Sequence, residues 1–319
     1  MADQEGSQRP PLRPDLKVRR NDGDRLTRFL FDRFPVRGHL VHLDATFRAL
    51  VEHHDYPPVV RETLGEALAA TALLVATLKF EGLLTLQMQG DGPMHLLVAQ
   101  STHGHAMRGV ARYSVPPASR DLREQLGLGR VTVTVENVDR TSRYQGVVPL
   151  AGGRIAECLE GYFRNSEQLP SRLWLAVTPE RAAGLLLQRL PVGATSSAEE
   201  DLNEVAEADE DWRRVVMLAE TLTPHELVSL GAGDIVHRLF HEEDVRLFEP
   251  TPAFFQCTCS RERVAGILRS LGAEEIRSIV EERGNVEVRC EFCNRAYQFD
   301  AVDATTLFVA APAVPPGIH

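Results

Sequence analysis

The chain has 319 residues, 43% of them hydrophobic and 25% charged, the mixture of a soluble globular protein of about two domains. Acids outnumber bases 45 to 35, and the net charge of −10 argues against nucleic acid or an anionic membrane as partner. The longest uncharged, proline-free apolar run, 67–78, is too short to span a bilayer, which takes ~20 residues. The N-terminus lacks the apolar stretch of a secretory signal, so the reducing cytosol is the expected compartment.

Residues 1–23 are rich in Pro, Gly and charge and read as a disordered tail. An α+β core is expected over 24–192, with a mainly antiparallel sheet and buried helices. Val36–His42 reads as a strand, and Asp44 is a good N-cap for a helix carrying Phe47, Leu50 and Val51. Pro57-Pro58 opens a second helix, apolar nearly all round and therefore expected to be central. Leu83–Gln89 and Met94–Ala99 flank Gly90-Asp-Gly-Pro93, a hairpin signal. Further strands are expected at Ala106–Tyr113, Arg130–Val138, Arg143–Leu150, Arg172–Val177 and Ala183–Leu190, with a helix over Arg154–Asn165.

Composition changes after Pro191. Residues 198–211 hold eight acids and no base, so much of the net charge is one local block. Short helices with thin apolar stripes follow at Trp212–Leu222, Pro224–Leu230 and Asp234–His241. The stretch 193–250 is expected to be an acidic, helical, marginally stable linker whose order comes from docking on the core sheet and on the C-terminal unit. That unit spans 251–301, and 302–319 reads as a second tail.

Cys257-Thr-Cys259 and Cys290-Glu-Phe-Cys293 carry the chemistry. Thiolates at i, i+2 and at i, i+3 in tight turns supply two ligands each, and two such turns close a tetrahedral zinc site. Residues 257–299 contain seven Arg and seven Glu, so the unit lacks the basic footprint of a nucleic-acid-binding ribbon. Spacing does not separate a redox-inert structural knuckle in an adaptor protein from a redox-active one. A thiol–disulfide oxidoreductase would use Cys290 and Cys293, though its motif sits where a strand meets a helix N-terminus, and here the pair lies between strand-like runs. Cys158 reads as a core thiol. His237 and His241, at i, i+4, read as a solvated pair, because four thiols already fill a zinc shell. No nucleotide-binding or hydrolase motif is present.

The cysteine pattern resembles that of the 33 kDa heat-shock protein family of redox-regulated holdases. Cys257-Thr-Cys-Ser-Arg-Glu-Arg263, Gly161-Tyr-Phe-Arg-Asn-Ser-Glu-Gln-Leu-Pro170, Ala76-Thr-Leu-Lys79, Gly90-Asp-Gly-Pro93 and His241-Glu-Glu243 look like its signature segments. The resemblance implies a non-enzymatic, ATP-independent chaperone of the bacterial cytoplasm. Its reduced form would be inactive, with one zinc on Cys257, Cys259, Cys290 and Cys293. Oxidants would form the disulfides Cys257–Cys259 and Cys290–Cys293 and release the metal. The linker would then unfold, and a homodimer would hold unfolding or oxidatively damaged clients.

Overall fold

The computed structural model describes residues 23–52, 54–138, 142–191 and 198–308. The expected N-terminal tail, apart from Gly23, and the polar stretch 193–197 lie outside the described residues. Strands β1 (Arg25–Phe31) and β2 (Val36–Leu43) lead into helices α1 (Ala45–Glu52) and α2 (Pro58–Thr77). Next come β3 (Gly82–Gly90), β4 (Met94–Thr102), β5 (Ala106–Tyr113), α3 (Leu122–Leu126), β6 (Gly129–Asn137) and β7 (Arg143–Pro149). Helix α4 (Ile155–Tyr162) runs into a π turn at Phe163–Glu167, followed by β8 (Ser171–Val177) and β9 (Ala182–Arg189). Helices α5 (Ala198–Ala219), α6 (Pro224–Ser229) and α7 (Ala232–Phe240) precede three short strands, β10 (Val245–Leu247), β11 (Thr251–Pro252) and β12 (Phe254–Phe255). The last elements are α8 (Arg261–Leu271), α9 (Ala273–Arg283), β13 (Val286–Arg289), β14 (Ala296–Phe299) and α10 (Ala301–Phe308).

The fold is α+β, with strands paired antiparallel except β12 on β5. One sheet has the order β10-β1-β2-β9-β8, with β11 also on β1; the other runs β12-β5-β4-β3-β6-β7. Helix α2 lies between them, and its Leu64, Leu68 and Leu73 share one apolar cluster with Val41 and Leu186 of the first sheet and Leu86 and Leu97 of the second. That is why its sequence is apolar on every side. The β3–β4 hairpin turns at Asp91–Pro93 as its Asp-Gly pair predicts.

The opposite face of the first sheet is covered by the linker helices. Val215, Leu222, Leu227, Ile235, Val236, Leu239 and Phe240 are buried with Phe29, Phe31, Val36, Leu40, Leu185 and Leu187. The Phe240 ring meets Phe31 edge-on at 5.0 Å between centroids. A Cβ at Gly38 would sit 2.0 Å from Phe29 Cζ, so glycine there gives the Phe29 ring its place. Polar contacts fasten the same helices. His42 Nε2–H donates to the Leu227 carbonyl at 2.9 Å, while Arg181 donates to the Val228 carbonyl and pairs with Asp44. These core side chains satisfy carbonyls at the C-terminal end of α6 that the helix leaves free.

Three expectations change here. The linker's buried apolar residues pack with the core sheet, and among the described residues none of the linker joins the apolar cluster of the C-terminal unit. The segment from residue 302, expected as a tail, begins as part of α10, whose Ala304 and Leu307 are buried in that unit with Val264, Leu268, Ile276, Val286 and Phe299. Ile267, expected inside, is 59% exposed.

His39 on β2 is 1% exposed, and neither ring nitrogen has a hydrogen-bond partner. Burial, with the nearby charges of Arg37 and Arg28, pushes its pKa down to about 3. The unfolded chain binds a proton there below about 6.5. Stability is therefore full above that pH and is lost as pH falls toward 3. Urea unfolding at pH 5 should show a loss of about 2 kcal/mol relative to pH 7 from this residue. The loss should shrink in His39→Leu; an unchanged pH dependence would place the acid sensitivity elsewhere.

Candidate metal centre

The two cysteine pairs come from different local structures. Cys257 and Cys259 lie in the irregular segment between β12 and α8, where Ser260 caps the helix by accepting from the Arg263 N–H. Cys290 and Cys293 lie in the connection of the β13–β14 hairpin. There Cys290 N–H donates to the Arg295 carbonyl at 3.0 Å and Asn294 N–H to the Cys290 carbonyl at 2.7 Å. Asn294 takes the left-handed conformation, φ 53°, that such a tight knuckle needs.

The structure brings all four expected ligands together, with their sulfurs within 4.8 Å of one another. Cys257 and Cys290 sulfurs are 3.6 Å apart, and those of Cys259 and Cys293 are 3.3 Å apart. A tetrahedron of thiolates about 2.3 Å from zinc has sulfur–sulfur edges of about 3.8 Å. The donor set and its spacing therefore fit a zinc ion. Among the described residues no other group of three or more His, Cys, Asp or Glu converges in this way. His237 and His241 meet edge-on at 6.1 Å between centroids, outside the cluster. Cys158 is buried on α4, and burial pushes its thiol pKa up.

Ionisation is uneven across the cluster. Burial pushes the Cys257 thiol up, and burial together with the surrounding sulfurs does the same to Cys293. Burial also opposes ionisation of Cys259, but the Tyr297 hydroxyl donating to its sulfur at 3.1 Å and the other thiols outweigh that effect. Its pKa falls to about 7.

Sequence reading missed what holds the knuckles against the core. Arg108 of β5 donates to Thr258 Oγ1 at 2.8 Å and lies over the Phe292 ring at 4.2 Å. Arg112, four residues along the same strand face, pairs with Glu291. Thr258, Glu291 and Phe292 are the residues between the cysteines of each pair. Two arginines four positions apart on one strand carried a signal of exposure, but none of partner.

Comparison with known proteins gives consistent matches. The model of the family described as Hsp33 protein matches residues 24–300. The 33 kDa chaperonin of Nitrosococcus oceani is 46% identical over 295 residues, 92% of this chain and 98% of the relative. That of Methylobacillus flagellatus is 44% identical over 293 residues, 92% and 97% of the two chains. The crystal structure of the 33 kDa chaperonin (heat shock protein 33 homolog) from Thermotoga maritima superposes with a TM-score of 0.75 at 25% identity, covering 89% of this chain and 97% of that one. Among the described residues no helix is long and apolar enough to cross a membrane.

Proposed function

The chain belongs to the Hsp33 protein family, and on that premise we propose that it is a redox-activated, ATP-independent holdase of the cytoplasm. The observation that carries this reading is the convergence of four thiols from two knuckles whose nearest ligands, Cys259 and Cys290, have 30 residues between them in sequence. The proposed division is a client-binding core at 24–192, a linker at 193–250 and a switch unit at 251–301, which α10 extends.

In the reduced state Cys257, Cys259, Cys290 and Cys293 hold one zinc ion, whose charge keeps four thiolates together as a single cross-link. The unit's apolar cluster is small, and structural zinc in modules of this kind supplies about 10–16 kcal/mol of apparent folding free energy. Oxidation by peroxide forms the disulfides Cys257–Cys259 and Cys290–Cys293. Forming each S–S bond takes two electrons from a pair of thiolates; one hydrogen peroxide accepts them together with two protons from solvent, its O–O bond breaks and two waters form. Sulfurs tied in disulfides no longer present thiolates to a metal.

The pairing matters. Disulfides within each knuckle sever the link between the knuckles, whereas bonds across them would staple the unit as the metal does. Only the first arrangement frees the switch unit and, through β10–β12, the linker that covers the first sheet. The uncovered apolar face then holds unfolding clients, with a homodimer as the active form.

Light scattering of a heat-denaturing client tests the reading. The reduced chain should be nearly inactive, and the peroxide-treated chain should suppress aggregation at near-stoichiometric ratios without ATP. Equal suppression by both forms would remove the switch; catalytic reduction of insulin would point to an oxidoreductase. Non-reducing peptide mapping should return the two within-knuckle disulfides, and cross-knuckle peptides would contradict the release argument.

A further inference from the structure

The second sheet ends at β5, and β12 occupies that edge for only two residues. Phe254 and Phe255 pair in parallel with Ala106 and Met107. Phe254 N–H donates to the His105 carbonyl at 3.1 Å and Gln256 N–H to the Met107 carbonyl at 2.9 Å. Phe255 packs on the main core, and Phe254 is 45% exposed. The residue after the last ladder donor is Cys257. The hold of β12 on β5 is thus one residue away from the cysteine cluster.

The rest of β5 has no strand beside it on that side among the described residues. Farther along, the Ala111 N–H is met by a side chain, the Tyr56 hydroxyl, at 3.3 Å. Ala111, Arg112 and Tyr113 there line a cleft of about 380 Å³ with His54, Tyr56 and His95. A row of backbone donors and acceptors on an edge strand pairs with an extended chain of almost any sequence.

We propose that β5 is a strand-accepting edge for clients, for which β12 is the resident stand-in. When β12 leaves, an extended aromatic-bearing segment of an unfolded client adds to β5 in the same parallel register. Arg108, which also donates to Gln100 Oε1 on β4 at 2.7 Å, and Arg112 lie on one face of β5 and, released from Thr258, Phe292 and Glu291, favour a segment that carries an acidic side chain on that face. β5 has eight residues against two in β12, and a segment longer than the resident one would reach Ala111 and displace the Tyr56 hydroxyl from its N–H. The inference rests on the redox reading for what removes β12, and on the geometry of β5 for what replaces it.

The probe is a fluorescein-labelled peptide with the sequence of residues 251–256, Thr-Pro-Ala-Phe-Phe-Gln, which contains no cysteine. Its control is the same peptide N-methylated at the two ladder donors, Phe254 and Gln256. Anisotropy with the full chain should show binding to the oxidised form at least tenfold tighter than to the reduced form. N-methylation should weaken binding at least tenfold, and hydrogen exchange should slow across Ala106–Tyr113 on peptide addition. Equal binding of both peptides, or protection confined to β1, β2 and β9, would overturn the edge assignment. So would protection of β5 in the oxidised chain before peptide is added that disappears on dilution to monomer, because a second copy would then fill the edge. Aggregation suppression is read in the same samples. Suppression without peptide pairing leaves the holdase reading standing and sinks this one. Pairing in a chelator-treated chain without suppression does the reverse.

Discussion

Cys259→Ser in the full chain should lose its zinc and unfold residues 257–308 while both large sheets stay folded. Cys259 is the ligand with the lowered pKa, and its sulfur also accepts from Tyr297, a residue of the unit's apolar cluster. Its loss removes a metal ligand and a contact to that cluster together. On the proposed reading, a unit of this size would depend on the ~10–16 kcal/mol that structural zinc supplies. Metal analysis should fall from one zinc per chain to a small fraction, with fast amide exchange over α8, α9 and α10. Cys158→Ser, remote from the cluster, should keep its metal. Full zinc retention in Cys259→Ser at unchanged affinity would contradict the ligand assignment.

Phe240→Ala should switch the reduced, zinc-loaded chain on. Phe240 is 2% exposed and fills the space between Phe29 and Phe31 under the linker. Truncating a buried Phe costs about 3–5 kcal/mol. Helices as short as α6 and α7 are marginal alone, so that loss falls on their docking. Amide exchange in 212–241 should accelerate and aggregation suppression should appear without oxidant, while the free-thiol count stays that of the reduced protein. Met217→Ala, at a position 67% exposed on α5, should change neither. A Phe240→Ala chain with fast linker exchange and no suppression would show that the uncovered sheet face does not hold clients.

The cysteine constellation was legible because metal ligation imposes short, fixed spacings that chance seldom supplies. Helix α2 and the β3–β4 hairpin were legible because one is apolar on every face and the other has a turn dipeptide between alternating runs. Strands β10–β12 were not, because ladders of two or three residues have no period to read. The linker helices were read as thinly apolar, yet Ile235, Val236, Leu239 and Phe240 are all buried. A narrow stripe on a short helix suffices when a preformed sheet face receives it, and a sequence window contains no information about that face. Helix α10 was hidden for the same reason, since Ala304 and Leu307 acquire meaning only against α8 and α9. Arg108 and Arg112 escaped notice because their partners lie about 150 and 179 residues downstream.

The cover over the first sheet also has a history in each molecule. Strands β1 and β2 leave the ribosome early, the face they share is completed by β9, and the helices that shield it end at Phe240. At about 5–20 residues per second, synthesis of residues 190–240 takes roughly 3–10 s. For that interval every newborn chain displays the bare apolar surface that oxidation would later uncover. On the proposed reading, biogenesis therefore passes through a counterpart of the open form before the closed one exists.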